Sequence, residues 1–224
     1  MITAEIGVNF NGDRQRIPYF IRAAKDAGAD AVKFQAYNTD KLIERRKITD
    51  AKTIDLLRRN ELTDDDMALI RDTARNMGIK WFWSCFDPSQ PARCVKFGAC
   101  ALKIGHAEND WGELRVACIN NRAGLPVFIS GGAGDEGHVV VTGTWEYPAK
   151  SLPKMGFIGL RYGHGGFSSH YADWHIPAAA GMRGARYIEC HFKLADTDPE
   201  AAWSLSPEDF AKMVKQVREY ESWL

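Results

Sequence analysis

The feature that most constrains the fold is a regular alternation of short apolar or β-branched runs with helix-like stretches, a pattern that calls for parallel strands joined by crossover helices. Eight strand candidates follow in order: Ala4–Gly7, Ala31–Gln35, Lys80–Cys85, Ala101–Ile104, Pro126–Ser130, Val139–Thr142, Phe157–Leu160 and Arg186–His191. Eight such strands predict an α/β fold of the (β/α)8 TIM-barrel kind. At 224 residues the chain sits below the roughly 250 that is typical, so one domain over residues 1–224 is expected.

The early helices carry clear boundaries. Ile17–Ala27 is amphipathic and ends at Gly28. Thr63 precedes Asp64, Asp65 and Asp66, acids that suit a helix N-terminus, and that helix should run to Met77 and stop at Gly78. The last helix has Ser206 as its cap, Pro207 at its first position, and Phe210, Met213, Val214 and Val217 as a core-facing stripe. The second half is leaner. Only Gly131–His138 separates strands five and six, and Tyr147–Gly156 contains two prolines and shows no helical period. A parallel crossover usually needs a dozen or more residues. The helices after strands five and six are therefore expected to be reduced or missing. The apolar outer faces of those strands then need cover, and a homo-oligomer with the gap at its interface is expected to supply it.

Charge and cysteine content remove other classes. Lys plus Arg equals Asp plus Glu at 29 each, which argues against a nucleic-acid binder. The short run Arg45-Arg46-Lys47 reads as a solvated loop. Five cysteines with no CxxC pair make a disulfide framework unlikely to form and point to a reducing cytoplasm. No apolar run approaches the roughly 18 residues of a membrane helix, and no signal peptide is expected.

Several segments together resemble the N-acetylneuraminate (sialic acid) synthase family. They are Ala4-Glu5-Ile6-Gly7-Val8-Asn9-Phe10-Asn11-Gly12-Asp13, Asp30-Ala31-Val32-Lys33-Phe34-Gln35, and Leu56 to Thr63 leading into the third helix. Lys103-Ile104-Gly105 with Glu108 and Phe128-Ile129-Ser130-Gly131-Gly132 follow. Glu146-Tyr147-Pro148-Ala149, Gly166-Phe167-Ser168-Ser169-His170 and Glu189-Cys190-His191-Phe192 complete the set. The order is kept over nearly the whole chain, and the motifs fall at strand ends, where such barrels place their active sites.

The resemblance implies a condensation of phosphoenolpyruvate with an N-acetylated amino sugar, aided by a divalent metal: manganese, with magnesium, cobalt or zinc as alternatives. It implies His170 and His191 as metal ligands, a role imidazole suits. Glu189 and His191 are two apart on a strand and share a face, while Cys190 points the other way. Lys33 and Lys103 map to residues that hold phosphoenolpyruvate; a lysine at the tip of a buried strand needs an anionic partner. Ser130, Gly131 and Ser168 would add hydroxyl and amide donors. Glu108 is the candidate general acid/base, and Glu5 and Gln35 would contact substrate. Ser84 stands where the family has Thr.

Four departures bear on substrate. His106 replaces a serine that contacts phosphate, and is read either as a cationic replacement, as a further metal ligand or as a base. Trp145 replaces a small polar residue, and Ser169 replaces an aspartate beside the metal. Pro199-Glu200-Ala201-Ala202-Trp203 lacks the aspartate that grips the sugar, leaving Asp196, Asp198 or Glu200 to substitute. The family's C-terminal antifreeze-like domain is expected to be absent. Arg161 and His164, in an inserted segment, are read either as added positive charge or as a plain turn. Three readings stand: a synthase of nonulosonic acids, a divergent metal-dependent lyase, aldolase or isomerase on another phosphorylated or carbonyl substrate, and a catalytically dead barrel kept for binding.

Overall fold

Alternating side chains that are small or β-branched on one face and polar on the other need a closed, twisted sheet to bury both. In the computed structural model, which describes residues 1–131, 138–143, 146–150 and 165–223, eight parallel strands close into a barrel in sequence order, β8 pairing with β1. The first half contains β1 (Ile2–Gly7), α1 (Ile17–Asp26), β2 (Ala31–Ala36), α2 (Thr39–Arg46), α3 (Ala51–Asn60), α4 (Asp64–Met77), β3 (Lys80–Cys85), α5 (Gln90–Lys96) and β4 (Leu102–Ile104). The second contains α6 (Gly112–Asn121), β5 (Val127–Ser130), β6 (His138–Gly143), β7 (Gly166–Ser169), α7 (His175–Met182), β8 (Tyr187–His191) and α8 (Pro207–Glu221). Short 3-10 turns at His106–Glu108 and Ala201–Trp203 follow β4 and β8.

Most expected strands form within a residue or two of their expected bounds. The seventh is a correction. Phe157–Leu160 lies outside the described residues, and the strand that pairs with both β6 and β8 is Gly166–Ser169. A Gly-Phe-Ser-Ser run has little intrinsic strand preference. It is selected here by space, because a Cβ on Gly166 would lie 2.9 Å from the Tyr187 ring on β8.

A second correction concerns the basic run. Arg45 and Arg46 are the last turn of α2, and Lys47 caps it in the left-handed region at φ 53°. Asn38 starts α2 by accepting from the Lys41 amide, and Asp50 starts α3 through Thr53. Both helices lie in a polar stretch where apolar periodicity is weak and the caps carry the signal.

Among the described residues no helix lies between β5 and β7. The segments on which the reduced helices and the oligomer interface were expected to bear include residues 132–137, 144–145 and 151–164, which lie outside the described residues. The five cysteines are free, four of them buried. No helix among the described residues is long and apolar enough to cross a membrane.

The barrel interior is filled from below by aromatics. Phe128 stacks on Tyr187 with ring centroids 4.1 Å apart, and Phe82 meets Phe128 at 5.9 Å. The charged inward residues lie above this layer, toward the strand C-termini. On the outside, the stripe Phe210, Met213, Val214 and Val217 of α8 is buried as expected. The start of α4 is fixed by a capping box: Thr63 accepts from the Asp66 amide, and Asp66 accepts from the Thr63 amide. Removing the threonine hydroxyl leaves that amide without its side-chain acceptor, so Thr63→Ala should cost about 1 kcal/mol in denaturant melts. Thr63→Ser should stay near the parent; equal melts for Thr63→Ala and the parent would mean that the cap carries no stability.

Candidate active site

Inward side chains at the carboxyl ends of the strands meet in a cavity of about 250 Å³. Glu5 comes from β1, Lys33 and Gln35 from β2, Ser84 from β3, Lys103 from β4, Ser130 from β5, Ser168 from β7, and Glu189 and His191 from β8. His170 follows β7 directly, and His106 and Glu108 sit on the turn after β4. Period-two alternation puts Glu189 and His191 in this wall together and leaves Cys190 in the hydrophobic layer outside, as the spacing predicts.

The floor of the cavity is a buried charge network centred on Glu189. One Glu189 oxygen accepts from Lys103 Nζ at 2.5 Å and from Ser168 Oγ at 3.1 Å. The other accepts from the Tyr187 hydroxyl and lies 3.5 Å from Lys33 Nζ. Lys33 also pairs with Glu5 and donates to Ser84 Oγ at 2.6 Å, while Gln35 donates to Glu5 at 3.3 Å. The lysines' anionic partners are thus carboxylates of the protein itself. Burial opposes the charge on Glu189, yet Lys103 and Lys33 together hold its carboxyl well below the usual carboxylate range. Burial also opposes both ammonium groups. Glu189 and Glu5 outweigh it at Lys33, whose pKa is raised, whereas Lys103, with one close carboxylate and the repulsion of Lys33, is lowered. Glu5 is pushed up by burial despite Lys33. Ser130 Oγ is buried on the cavity wall without a hydrogen-bond partner among the described residues, a donor held for something else.

The two histidines stand side by side, ring centroids 5.3 Å apart. His191 Nδ1 lies 3.0 Å from a Glu200 oxygen. A carboxylate there keeps the proton on Nδ1, frees Nε2 as a donor to a metal and makes the ring more basic. Glu200 reaches His191 only because residue 7 is glycine. Gly7 has φ +54°, and a Cβ on it would lie 2.2 Å from Glu200 Oε2. Tyr147 covers the pair, its ring 3.9 Å from that of His170. Two imidazoles beside Glu5, Glu189 and Glu200 match the donor chemistry of a first-row divalent cation. Among the described residues no three His, Cys, Asp or Glu side chains converge into a metal-holding group.

At the cavity rim, Glu108 is buried and held by Arg46, whose Nε donates to Oε1 at 2.7 Å. Burial raises the Glu108 pKa, with Arg46 opposing the rise. His106 is exposed on the same turn and lines the mouth. Gly131 is a different case: it is exposed and its amide donates to the Val141 carbonyl at 3.0 Å, so it contributes no donor to the cavity. Trp145, Arg161 and His164 lie outside the described residues. Of the three acids considered near the sugar position, only Glu200 lines the cavity. Asp198 pairs with Arg16 and caps Leu194 and Ala195, and Asp196 is exposed beside Lys193.

Four polar or charged lining residues are absent from the expected site: Glu189, Glu200, Tyr147 and Arg46. Glu189 had been placed on the right face by spacing alone, Glu200 was one of three alternatives, and Tyr147 lay in a quoted motif without a role. Arg46 was assigned to solvent; no spacing rule shows that the last turn of a helix will bend over a cavity.

Charged and imidazole side chains gathered at the carboxyl end of a closed eight-stranded parallel barrel define a strand-end active site of the (β/α)8 class. Within that class the chain belongs to the NeuB family, whose model matches residues 20–143 and 138–224. It is 28% identical to the N,N'-diacetyllegionaminic acid synthase of Legionella pneumophila, over all of this chain and 72% of that protein. That alignment runs over 260 positions, more than the 224 residues here, so the relative carries stretches that this chain lacks. The pseudaminic acid synthase of Campylobacter jejuni is also 28% identical, over 100% of this chain and 74% of its own length. The solved N-acetylneuraminic acid synthetase of Leptospira borgpetersenii, in complex with citrate, has the same fold. Its TM-score is 0.87 at 24% identity, covering 99% of this chain and 84% of that one.

Removing one partner of the Lys103–Glu189 pair leaves a buried carboxylate short of charge. Lys103→Met should therefore lower stability by about 3 kcal/mol in denaturant melts. Replacing both in Lys103→Met/Glu189→Leu should recover about half of that loss or more. A double variant no more stable than the single one would show that Glu189 stabilises the barrel through its other contacts.

Proposed function

We propose that this protein condenses phosphoenolpyruvate with an N-acetylated amino sugar to give a nonulosonic, sialic-type acid. The observation that carries the reading is the convergence of Lys33, Lys103 and the unpartnered Ser130 hydroxyl with His170 and His191 on one cavity. The activities named for the relatives lie in the same class of reaction.

Lys33, Lys103, Ser130 and Ser168 are suited to bind the phosphate and carboxylate of phosphoenolpyruvate with ammonium and hydroxyl donors. Glu5, Gln35 and Glu200 offer hydrogen-bond partners for the hydroxyl and amide groups of the sugar. His170 and His191 would hold a divalent metal, manganese first, which supplies Lewis-acid polarisation of a carbonyl when bound. The enol carbon of phosphoenolpyruvate forms a bond to the aldehyde carbon of the acceptor. The aldehyde oxygen takes a proton from Glu108, a carboxyl whose pKa burial raises against the opposing pull of Arg46. Water then adds to C2 and gives up a proton, the C2–O bond to phosphate breaks, and inorganic phosphate leaves a 2-keto acid. His106 at the mouth is placed to meet the more exposed end of a substrate.

The test is phosphate release from phosphoenolpyruvate with manganese across a panel of N-acetylated hexosamines and their dideoxy relatives. Release should depend on the sugar, and should fall by roughly two orders of magnitude or more in His191→Ala. Folded, metal-loaded protein that releases no phosphate with any sugar of the panel would move the assignment to a lyase or aldolase acting on another phosphorylated or carbonyl substrate.

A further inference from the structure

The cavity has a charge deficit for an anionic substrate. Its lining carries three lysine or arginine side chains, Lys33, Arg46 and Lys103, against four acidic ones, Glu5, Glu108, Glu189 and Glu200. Lys33 and Lys103 are 3% and 5% exposed and are tied into the Glu5–Glu189 network. Arg46 differs from them. Its side chain is 32% exposed, it reaches the cavity from the end of a helix rather than from a strand, and its only carboxylate partner among the described residues is Glu108. It uses Nε and Nη2 on the single oxygen Oε1 of Glu108, and Nη1 makes no hydrogen bond among the described residues. Its guanidinium lies 5.0 Å from the centre of the Phe86 ring, another wall residue, which supports the charged plane at low entropic cost.

We propose that Arg46 is a substrate-binding residue, anchored on Glu108 by one edge of its guanidinium and offering Nη1 to an anionic group of phosphoenolpyruvate. The inference rests on the condensation reading above and adds a residue to it. A guanidinium is suited to this double duty because its donors lie in one rigid plane, so a carboxylate on one edge fixes the direction of the other. A lysine in the same place would satisfy Glu108 and have no second edge. The phosphate and the carboxylate of phosphoenolpyruvate present the same chemistry to Nη1, and separate probes tell them apart.

The experiment is titration calorimetry of the manganese-loaded protein with phosphoenolpyruvate, inorganic phosphate and pyruvate, in the parent, Arg46→Ala and Arg46→Lys. Arg46→Ala should weaken phosphoenolpyruvate binding roughly ten- to a hundredfold, the loss expected for a hydrogen bond to a charged group. Arg46→Lys keeps Glu108 paired and should still bind at least roughly fivefold more weakly than the parent. Added guanidinium should restore part of the affinity of Arg46→Ala. A matching loss for phosphate alone assigns Nη1 to the phosphate, and one for pyruvate alone assigns it to the carboxylate. Parent-like phosphoenolpyruvate affinity in a folded Arg46→Lys would reduce Arg46 to a support for Glu108 and overturn the proposal. A parent protein that does not bind phosphoenolpyruvate would overturn the condensation reading itself, and this inference with it.

Discussion

The charged floor of the site depends on one carboxylate. Glu189 sits at the bottom of the cavity between two lysines, a tyrosine hydroxyl and a serine hydroxyl, and all five groups are buried. A buried ion is costly unless its charge and its lone pairs are both met. Here each lysine has a carboxylate, and Glu189 accepts at both oxygens. The network fixes the positions of the lysine heads before any substrate arrives, so little rearrangement is left for binding. On the proposed reading, an incoming phosphate would compete with protein carboxylates for the lysines, which is why further positive charge in the wall matters.

The histidines are positioned by a second, separable device. Glu200 lies beyond β8, past the point where strand geometry dictates direction, and is held by its amide donating to Asn9 at 2.7 Å. It reaches His191 through the space that Gly7 leaves open. One glycine in β1, one asparagine after it and one glutamate after β8 therefore set the tautomer of a histidine on β8. The three residues are far apart in sequence and adjacent only because the barrel closes.

The barrel itself was legible in the sequence because its strands obey local rules: β-branched and aromatic runs, caps at Thr63 and Ser206, glycine stops at Gly28 and Gly78. Where a strand is chosen by tertiary space instead, as with Gly166–Ser169 beside Tyr187, no local rule finds it. The same division holds in the site. Residues on strands, such as Glu5, Lys33, Lys103 and His191, lie in motifs that resemble the family's, and a period of two adds that Glu189 shares a face with His191. Arg46 and Glu200 enter from a helix end and a loop, and their direction is set by groups on other elements. Gly131 marks the opposite error: a glycine-rich turn suggested amide donors, and the amide is spent on the neighbouring strand.

The distribution of charge around the barrel follows its outer cover. The strand residues that carry formal charge in the cavity, Glu5, Lys33, Lys103 and Glu189, lie on β1, β2, β4 and β8, which are followed by α1, α2, α6 and α8. Strands β5 and β7 contribute hydroxyls, Ser130 and Ser168, and β6 contributes no lining residue among those described. This is the arrangement that physics favours. A buried ion pair draws its strength from a low-dielectric surround and is weakened wherever water can approach from behind. A hydroxyl needs only a hydrogen-bond partner and tolerates either environment. Among the described residues, the strand charges of the cavity therefore stand where helices shield the sheet from outside.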